Sequence, residues 1–338
     1  MAEVSPLRNP HRLCAAPMMD WTDRHCRYFL RQCAPHAWLY TEMITTGALL
    51  HGDVARHLDF DPAEHPVAAQ LGGSEPDALA ACARMVESWG YDEVNLNVGC
   101  PSERVRQGAF GACLMAEPAL VADCVRAMRE AVSIPVTVKH RIGIDRVESY
   151  GFVRDFIGAV SEAGCRTFIV HARNAVLKGL SPKENREIPP LRYEVVHRLK
   201  RDFPALEIVL NGGLTDWETI EHELARVDGV MLGRAAYHQP WLLAEADARI
   251  YGDGELPQSR AEVAAAMQTY AARQIAAGTA LRHVTRHMLG LYHHVPRARL
   301  WRRMLSDPAR LGSNDAQLIG EAIDAVETTS AELEHEVE

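Results

Sequence analysis

The heptapeptide Asn95-Leu96-Asn97-Val98-Gly99-Cys100-Pro101 follows an apolar, strand-like run and opens a loop. It sets two carboxamides and a thiol at a strand end. Thiols as a class, with a pKa of about 8.5, hold their proton at neutral pH and can give it away. A thiol so placed suits an acid acting on a planar substrate laid beside it. A free cysteine taken alone is more often a buried structural residue. The elements around Cys100 therefore decide its meaning.

Eight short apolar segments run along the chain, over residues 12–18, 39–43, 67–72, 93–99, 136–141, 167–173, 207–213 and 229–234. Most are too short for helices, rich in Val, Ile and Leu, and bounded by Gly, Pro or polar residues. Strands buried on both faces read this way. Between them lie segments of helical period over 22–33, 77–90, 118–132, 149–164, 193–203 and 216–224. Asp77 and Asp216 are expected N-caps, and Gly90 and Gly164 expected stops. The crossover over 44–66 gives no clear signal. Strict βα alternation implies parallel strands. The length used fits closure into an α/β (β/α)8 TIM barrel. An open doubly wound sheet would carry its glycine fingerprint after the first strand, and no GxGxxG follows Met18.

A barrel places functional groups at the C-terminal ends of its strands, with phosphate held after strands seven and eight. Those two ends read Asn211-Gly212-Gly213 and Gly233-Arg234. Glycines let backbone N–H groups approach a phosphate, and an arginine adds charge. Asn-Gly-Gly is also a hairpin-turn signal. Both signals at the two positions that the barrel rule names favour a phosphate-bearing cofactor.

Taken together, residues 16–23 (APMMDWTD), 40–47 (YTEMITTG), 70–73, 95–102 (NLNVGCPS), 138–143 (VKHRIG), 171–173, 181–190 (SPKENREIPP) and 211–213 give a pattern that covers nearly the whole chain. In these segments the chain resembles the tRNA-dihydrouridine synthases, and among them the A subfamily. His140 departs from the pattern, which has a smaller residue such as Thr there. The resemblance implies an FMN-dependent barrel enzyme, supplied with electrons by NADPH. It implies reduction of the C5–C6 bond of D-loop uridines at positions 20 and 20a of tRNA.

On this reading Cys100 is the proton donor to C5. Lys139, at the fifth strand end, is a fixed cation tuning the flavin; the structural alternative is an ion pair with a carboxylate. His171 is expected at the flavin or its phosphate. Gln70 can hydrogen-bond the flavin edge as donor and acceptor. Pro17, Met18 and Met19 are expected beside the ring system, with ordinary core packing as the alternative. Asn211, Gly212, Gly213, Gly233 and Arg234 complete the cofactor set. Asn97 and Arg173 are expected to hold the uracil or a neighbouring phosphate.

Two features argue for RNA. Residues 174–192 form a long loop after strand six and carry Lys178, Lys183, Arg186 and Arg192. Residues 281–312 hold seven arginines against one acid, Asp307. Arg299, Arg302 and Arg303 fall at i, i+3 and i+4, after a helix-starting Pro296. Trp301 and Tyr292 could stack on bases, and either could equally be core. A solvated stripe is the ordinary alternative for such a charge run. The formal net charge of −9 is unlike that of a bulk nucleic-acid binder. Residues 313–338 contribute eight acids and no Lys or Arg, read as an amphipathic helix over 316–326 and then a solvated end. The RNA surface must therefore be local.

The remaining expectations are structural. A break near 251–258 (YGDGELPQ) separates a barrel over 1–250 from an all-α region over 251–338 that grips tRNA. The start lacks a signal-peptide pattern, and no run approaches a membrane span. Eight cysteines without CxxC pairs or ligand spacing imply reduced thiols, a cytoplasmic location and no metal. No protein partner is implied. A small-molecule pyrimidine oxidoreductase of the dihydroorotate type is the alternative enzyme; it would not require the arginine-rich helices. An RNA-binding module on a barrel without activity would carry no flavin.

Overall fold

The apolar runs become strands because each is buried on both sides. The computed structural model describes residues 10–102, 105, 108–252 and 259–335. The strands are β1 (Leu13–Ala15), β2 (Leu39–Thr45), β3 (Val67–Gly72), β4 (Glu93–Val98), β5 (Val136–Arg141), β6 (Thr167–His171), β7 (Glu207–Asn211) and β8 (Gly229–Leu232). They form one eight-stranded sheet in the order β1-β8-β7-β6-β5-β4-β3-β2, and its pairs are parallel. The two edges meet through a parallel bridge between Cys14 and Trp38. Ala15 N donates to the Trp38 carbonyl at 2.9 Å, and Trp38 N to that of Leu13 at 2.8 Å. The sheet is thus a nearly closed (β/α)8 barrel, as the alternation predicts.

Helices return the chain between strands. Asp23, Ser149 and Asp216 cap the helices Arg24–Cys33, Tyr150–Glu162 and Trp217–Leu224 with their side chains. Asp77 is not an N-cap. Its helix starts one residue earlier, at Pro76, whose fixed φ suits a first helical position. Asp77 lies in the first turn, where a carboxylate meets the positive helix end. Gly90 and Gly164 end their segments with φ of 91° and 98°, as expected. The unclear crossover holds two short helices, Thr46–His51 and Val54–Leu58, and a 3-10 turn, Pro62–Glu64.

The described residues divide into two compact units. One joins the start of the chain through Asp20 to Trp38–Gly233; the other joins Trp21–Ala37 to the chain from Arg234 on. The division falls after Gly233, not after residue 250 as the sequence suggests. Residues 253–258 of the expected linker lie outside the described residues. The helix before them, Pro240–Tyr251, ends at Gly252 with φ of 90°. In the second unit Trp301 is buried and donates from Nε1 to the Met288 carbonyl at 2.8 Å. Tyr292 is buried with its hydroxyl 2.7 Å from Glu327 Oε1. Both are core, so neither offers a face for stacking. The arginine helix starts at Ala298, not Pro296, because Arg297 adopts a left-handed φ of 64°. The last helix runs over Gln317–His335, past the expected end at 326.

Inside the barrel one side is apolar: Cys14, Ala16, Tyr40, Ala68, Ile169, Val209 and Met231 pack together. The other side is polar, and its floor carries charge. His11 Nε2 lies 2.5 Å from Glu93 Oε2, and Nδ1 lies 2.9 Å from Glu207 Oε2. Burial would lower the imidazole pKa, but the two carboxylates override it and lift it to about 10. Replacing His11 by Leu would leave two carboxylates inside the barrel floor without their cation. His11→Leu is expected to cost about 3–5 kcal/mol in urea unfolding at neutral pH. The folded pKa is raised, so this stabilisation is complete below pH 6.5 and fades as pH climbs toward about 10. A difference between parent and variant that stays constant across that window would remove the charge argument.

Candidate active site

Strand β4 reads Glu-Val-Asn-Leu-Asn-Val, and period two sends Glu93, Asn95 and Asn97 to one face. These residues build a ladder up the barrel interior. Thr137 Oγ1 donates to Glu93 Oε1 at 2.5 Å, and Asn95 Nδ2 donates to Thr137 Oγ1 at 2.7 Å. Gln70 Nε2 donates to Asn95 Oδ1, and Asn97 Nδ2 to Gln70 Oε1, both at 2.8 Å. At the top, Asn97 Oδ1 accepts from Gly99 N at 3.1 Å and Cys100 N at 2.9 Å. The thiol is therefore carried on a turn tied to the floor.

Other contacts fix the same turn. Arg141 Nε donates to the Gly99 carbonyl at 2.9 Å, and the Cys100 carbonyl accepts from Ala112 N at 2.9 Å. Cys100 is half-buried, with Sγ 3.5 Å from Ser102 Oγ. Arg141 is buried; burial lowers its pKa to about 10, which leaves it a cation at neutral pH. Its Nη1 also donates to the Asn174 and Asn185 carbonyls, both at 3.0 Å. One guanidinium thus joins the cysteine turn to the loop after β6.

Lys139 is two residues before Arg141 on β5, on the same face. Its Nζ donates to Asn211 Oδ1 at 3.1 Å, and among the described residues it has no carboxylate partner. Asn211 Nδ2 in turn donates to the Met231 carbonyl at 2.7 Å, linking β7 to β8. Lys139 keeps some accessible surface, yet burial, with Arg141 adding to it, pushes its pKa down to about 7; Cys100 acts in the opposite sense. His171 also keeps some surface, yet burial and then Arg141, Lys139, Arg173 and Arg186 hold it well below the usual imidazole range. Residues that touch solvent but feel strong desolvation line a concavity. His171 is a neutral imidazole there, able to hydrogen-bond but not to act as a cation.

The strand-end glycines have the geometry of a cradle. Gly212 and Gly213 have φ of 115° and 72°. A Cβ on Gly212 would lie 2.8 Å from His171 Cδ2, so only glycine admits that imidazole. Asn211-Gly212-Gly213 is no hairpin turn, because β8 continues parallel to β7. The pairing of Asn211 with Met231 sets Gly213 level with Gly233. Among the described residues, the N–H groups of Gly212, Gly213 and Gly233 have no acceptor. Orphaned amides at neighbouring strand ends suit an anion such as a phosphate. Arg234 opens the helix that follows β8 and belongs to the second compact unit.

Other expected residues take more varied places. Gln70 is 1% exposed with its amide committed within the ladder. Met18 is partly buried and packs on the apolar interior, Pro17 is half-buried, and Met19 is 53% exposed. Arg173 turns back to the Glu187 and Pro189 carbonyls. Lys183 and Arg186 are exposed, beside and within the 3-10 turn Glu184–Arg186. Arg299, Arg302 and Arg303 are exposed on their helix. His140 points away from this face, buried between Phe156 and Phe168, with a pKa lowered to about 4 by burial. Arg141, Asn95 and Asn185 were missed as site residues. Asn185 is buried and gathers the loop over 174–192 through bonds to Val176, Leu180 and Ser181. The polar alternation of β4 and β5 was the available signal for Arg141 and Asn95; nothing local marked Asn185. Among the described residues no group of three or more His, Cys, Asp or Glu could hold a metal ion, and no helix is long and apolar enough to cross a membrane.

If Asn97 holds the thiol's turn, Asn97→Ala should release it. Hydrogen exchange at Gly99 and Cys100 is expected to accelerate by roughly tenfold, the equivalent of about 1.4 kcal/mol, within the range for one lost buried hydrogen bond. Unchanged protection at both amides would take that role from Asn97.

Comparison with known proteins gives the same picture. The chain matches the family described as Dihydrouridine synthase (Dus) over residues 14–327. It is 57% identical over 320 residues to the tRNA-dihydrouridine(20/20a) synthase of Pseudomonas aeruginosa, covering 95% of this chain and 96% of that one. It is 57% identical over 313 residues to the Synechocystis sp. protein of the same name, covering 93% and 94%. To that of Escherichia coli K12 it is 54% identical over 327 residues, covering 96% and 94%. Among solved structures it is similar in fold to a 2-naphthoyl-CoA reductase in complex with 2-naphthoyl-CoA, at a TM-score of 0.52 and 13% identity. That likeness covers 70% of this chain and 49% of the reductase. A buried-strand barrel, a thiol held at the fourth strand end and a family match over most of its length give one conclusion: this chain belongs to the dihydrouridine synthase family.

Proposed function

We propose that the chain is an FMN-dependent, NADPH-linked tRNA-dihydrouridine synthase that reduces the C5–C6 double bond of uridines 20 and 20a in the D-loop. The observation that carries this reading is Cys100 pinned at a strand end within electrostatic reach of Lys139. The names of relatives 54–57% identical over nearly the full chain support the substrate and its positions.

FMN fits the residues present. The orphaned amides of Gly212, Gly213 and Gly233 would hold its phosphate, and Lys139, His171 and Asn211 would line its bed. Bound there, FMN would supply hydride chemistry at uracil C6, with NADPH as the electron source. The chain's own groups do the rest. Lys139 Nζ stabilises negative charge placed beside it; a pKa near neutrality means an adjacent anion draws it fully into its cationic form. Neutral His171 offers a hydrogen bond without adding charge. Cys100 Sγ would give its proton to uracil C5, and the thiolate it leaves would be reprotonated before the next turnover. Arg141 and Asn97 hold the sulfur at a constant height while this happens.

Carbons C5 and C6 cannot meet a bed inside a barrel mouth while the base is stacked, so the uridine must be extruded. Lys183 and Arg186 on the loop after β6, with Arg173 at its base, are the phosphate contacts we assign beside the mouth. The helices from residue 251 on are the RNA-gripping region, and Arg299, Arg302 and Arg303 present its cations. A tRNA substrate implies work in the cytoplasm.

Nucleoside mass spectrometry of tRNA from a strain lacking this gene should show loss of dihydrouridine at positions 20 and 20a. Restoration by the parent and not by Cys100→Ala is expected, with the variant still yellow and still binding tRNA. Full restoration by Cys100→Ala would refute the acid assignment, and unaltered dihydrouridine in the deletion strain would refute the activity. Replacing Arg299, Arg302 and Arg303 together by Gln should weaken tRNA binding about tenfold or more and reduce its salt dependence. NADPH oxidation should stay as in the parent. Unchanged affinity would move the RNA surface elsewhere.

A further inference from the structure

We propose that the imidazoles of His238, His293 and His294, beside Arg302, form a patch on the second unit that binds RNA backbone phosphate and takes up a proton as it does so. This rests on the reading of that unit as RNA-gripping.

Geometry brings the three histidines together, and Arg302 acts on His293 through its charge. His238 ends the helix Arg234–His238 and is exposed. A Cβ on Gly290 would lie 2.5 Å from the His238 carbonyl oxygen, so glycine there lets the turn before His293 pack directly on His238. The rings of His293 and His294 lie 3.9 Å apart at 76°. His294 is exposed and holds a left-handed φ of 61°; Arg297, three residues on, does likewise at 64°. Two non-glycine residues in that region within one turn are costly, and such strain gathers at functional segments. Arg302 is exposed on the face it shares with Arg299 and Arg303. Trp21 stacks on Tyr237 at 4.5 Å and meets the edge of His238 at 5.0 Å, which extends the patch with a half-buried aromatic surface.

The charges that act on His293 and His238 are positive, and the nearby Glu327 carboxylate is held by the Tyr292 hydroxyl. After burial, His294, Arg302 and His238 each disfavour the protonated form of His293, and Arg234 does the same to His238. Asp23 acts on Tyr237 through its charge, but Arg286 and His287 already hold that carboxylate. In the free protein the imidazoles of His238 and His293 are thus crowded among cations, and His293 Nδ1 is buried without a hydrogen-bond partner. An arriving phosphate reverses the balance, because its negative charge favours imidazolium and its oxygens accept from both ring nitrogens. The bound pKa then exceeds the free one, so binding takes up protons and strengthens as pH falls. RNA is the source of phosphate that we favour, because the patch continues into the arginine stripe and carries an aromatic surface on which a base can stack.

Titration of an unmodified tRNA transcript against the full-length protein at constant ionic strength tests this. From about pH 8 to about pH 6, Kd is expected to fall roughly threefold or more per pH unit. Calorimetry in two buffers of different ionisation enthalpy should show net proton uptake. Replacing His238, His293 and His294 together by Gln, with fold checked by circular dichroism, should flatten the slope to less than about twofold across the range and abolish the uptake. The Arg299, Arg302 and Arg303 variant should bind more weakly at every pH and keep most of the slope. An undiminished slope in the histidine variant, or no proton uptake in the parent, overturns the proposal. Failure of the arginine variant alone to weaken binding would instead count against the arginine stripe and leave the histidine patch standing. Inorganic phosphate is the control ligand: if it alone shifts the three histidine ring resonances as tRNA does, the patch is a free-phosphate site and the RNA assignment is overturned.

Discussion

A continuous run of hydrogen bonds through the barrel interior holds the Cys100 turn at the end of β4. It begins at the His11 imidazole between Glu93 and Glu207, passes through Thr137, Asn95 and Gln70, and ends at Asn97, which fixes the Cys100 amide. The links from Glu93 to Asn97 are buried, so a missing partner there would leave a polar group stranded where water cannot replace it. Such a ladder is rigid because its members satisfy one another. The turn at its top inherits that rigidity, and the proposed role of Cys100 as proton donor would require it.

The same economy shapes the electrostatics of the mouth. Arg141 is buried yet cationic, and it serves as an anchor for three carbonyls from two loops. Its charge then acts on its neighbours: with burial, it keeps His171 neutral and helps bring the Lys139 pKa close to neutrality. The concavity is therefore poised for negative charge without being saturated with positive charge. A chain of net charge −9 can hold such a site because net charge does not fix local charge: eight of its acids lie in the last 26 residues, where no Lys or Arg stands.

Much of this was legible in the residues. Short Val-, Ile- and Leu-rich runs alternating with amphipathic segments determined the parallel barrel, since a strand covered by helices on one side and by its own barrel on the other can expose no polar alternation to water. Strand β4 shows the exception: Glu93, Asn95 and Asn97 alternate with Val94, Leu96 and Val98, yet all six are buried, because the polar face looks into the barrel and not into solvent. The Asn211-Gly212-Gly213 and Gly233 ends, the thiol of Cys100 and the cation of Lys139 could be named from position, as the barrel rule ties function to strand ends.

Tertiary structure alone decided the rest. No spacing in the chain tells that Lys139 meets Asn211 and not a carboxylate, that Arg141 ties the cysteine turn to the loop over 174–192, or that Asn185 is the buried hub of that loop. Trp301 and Tyr292 look like stacking surfaces until the packing of the helices hides them, and the compact division after Gly233 depends on a helix, Arg24–Cys33, far away in sequence. The reason is physical. Propensity and periodicity act over a few residues and fix strands, caps and turns, whereas partners in hydrogen bonds and charge are chosen among groups separated by tens to hundreds of positions, which only closure of the barrel brings within reach.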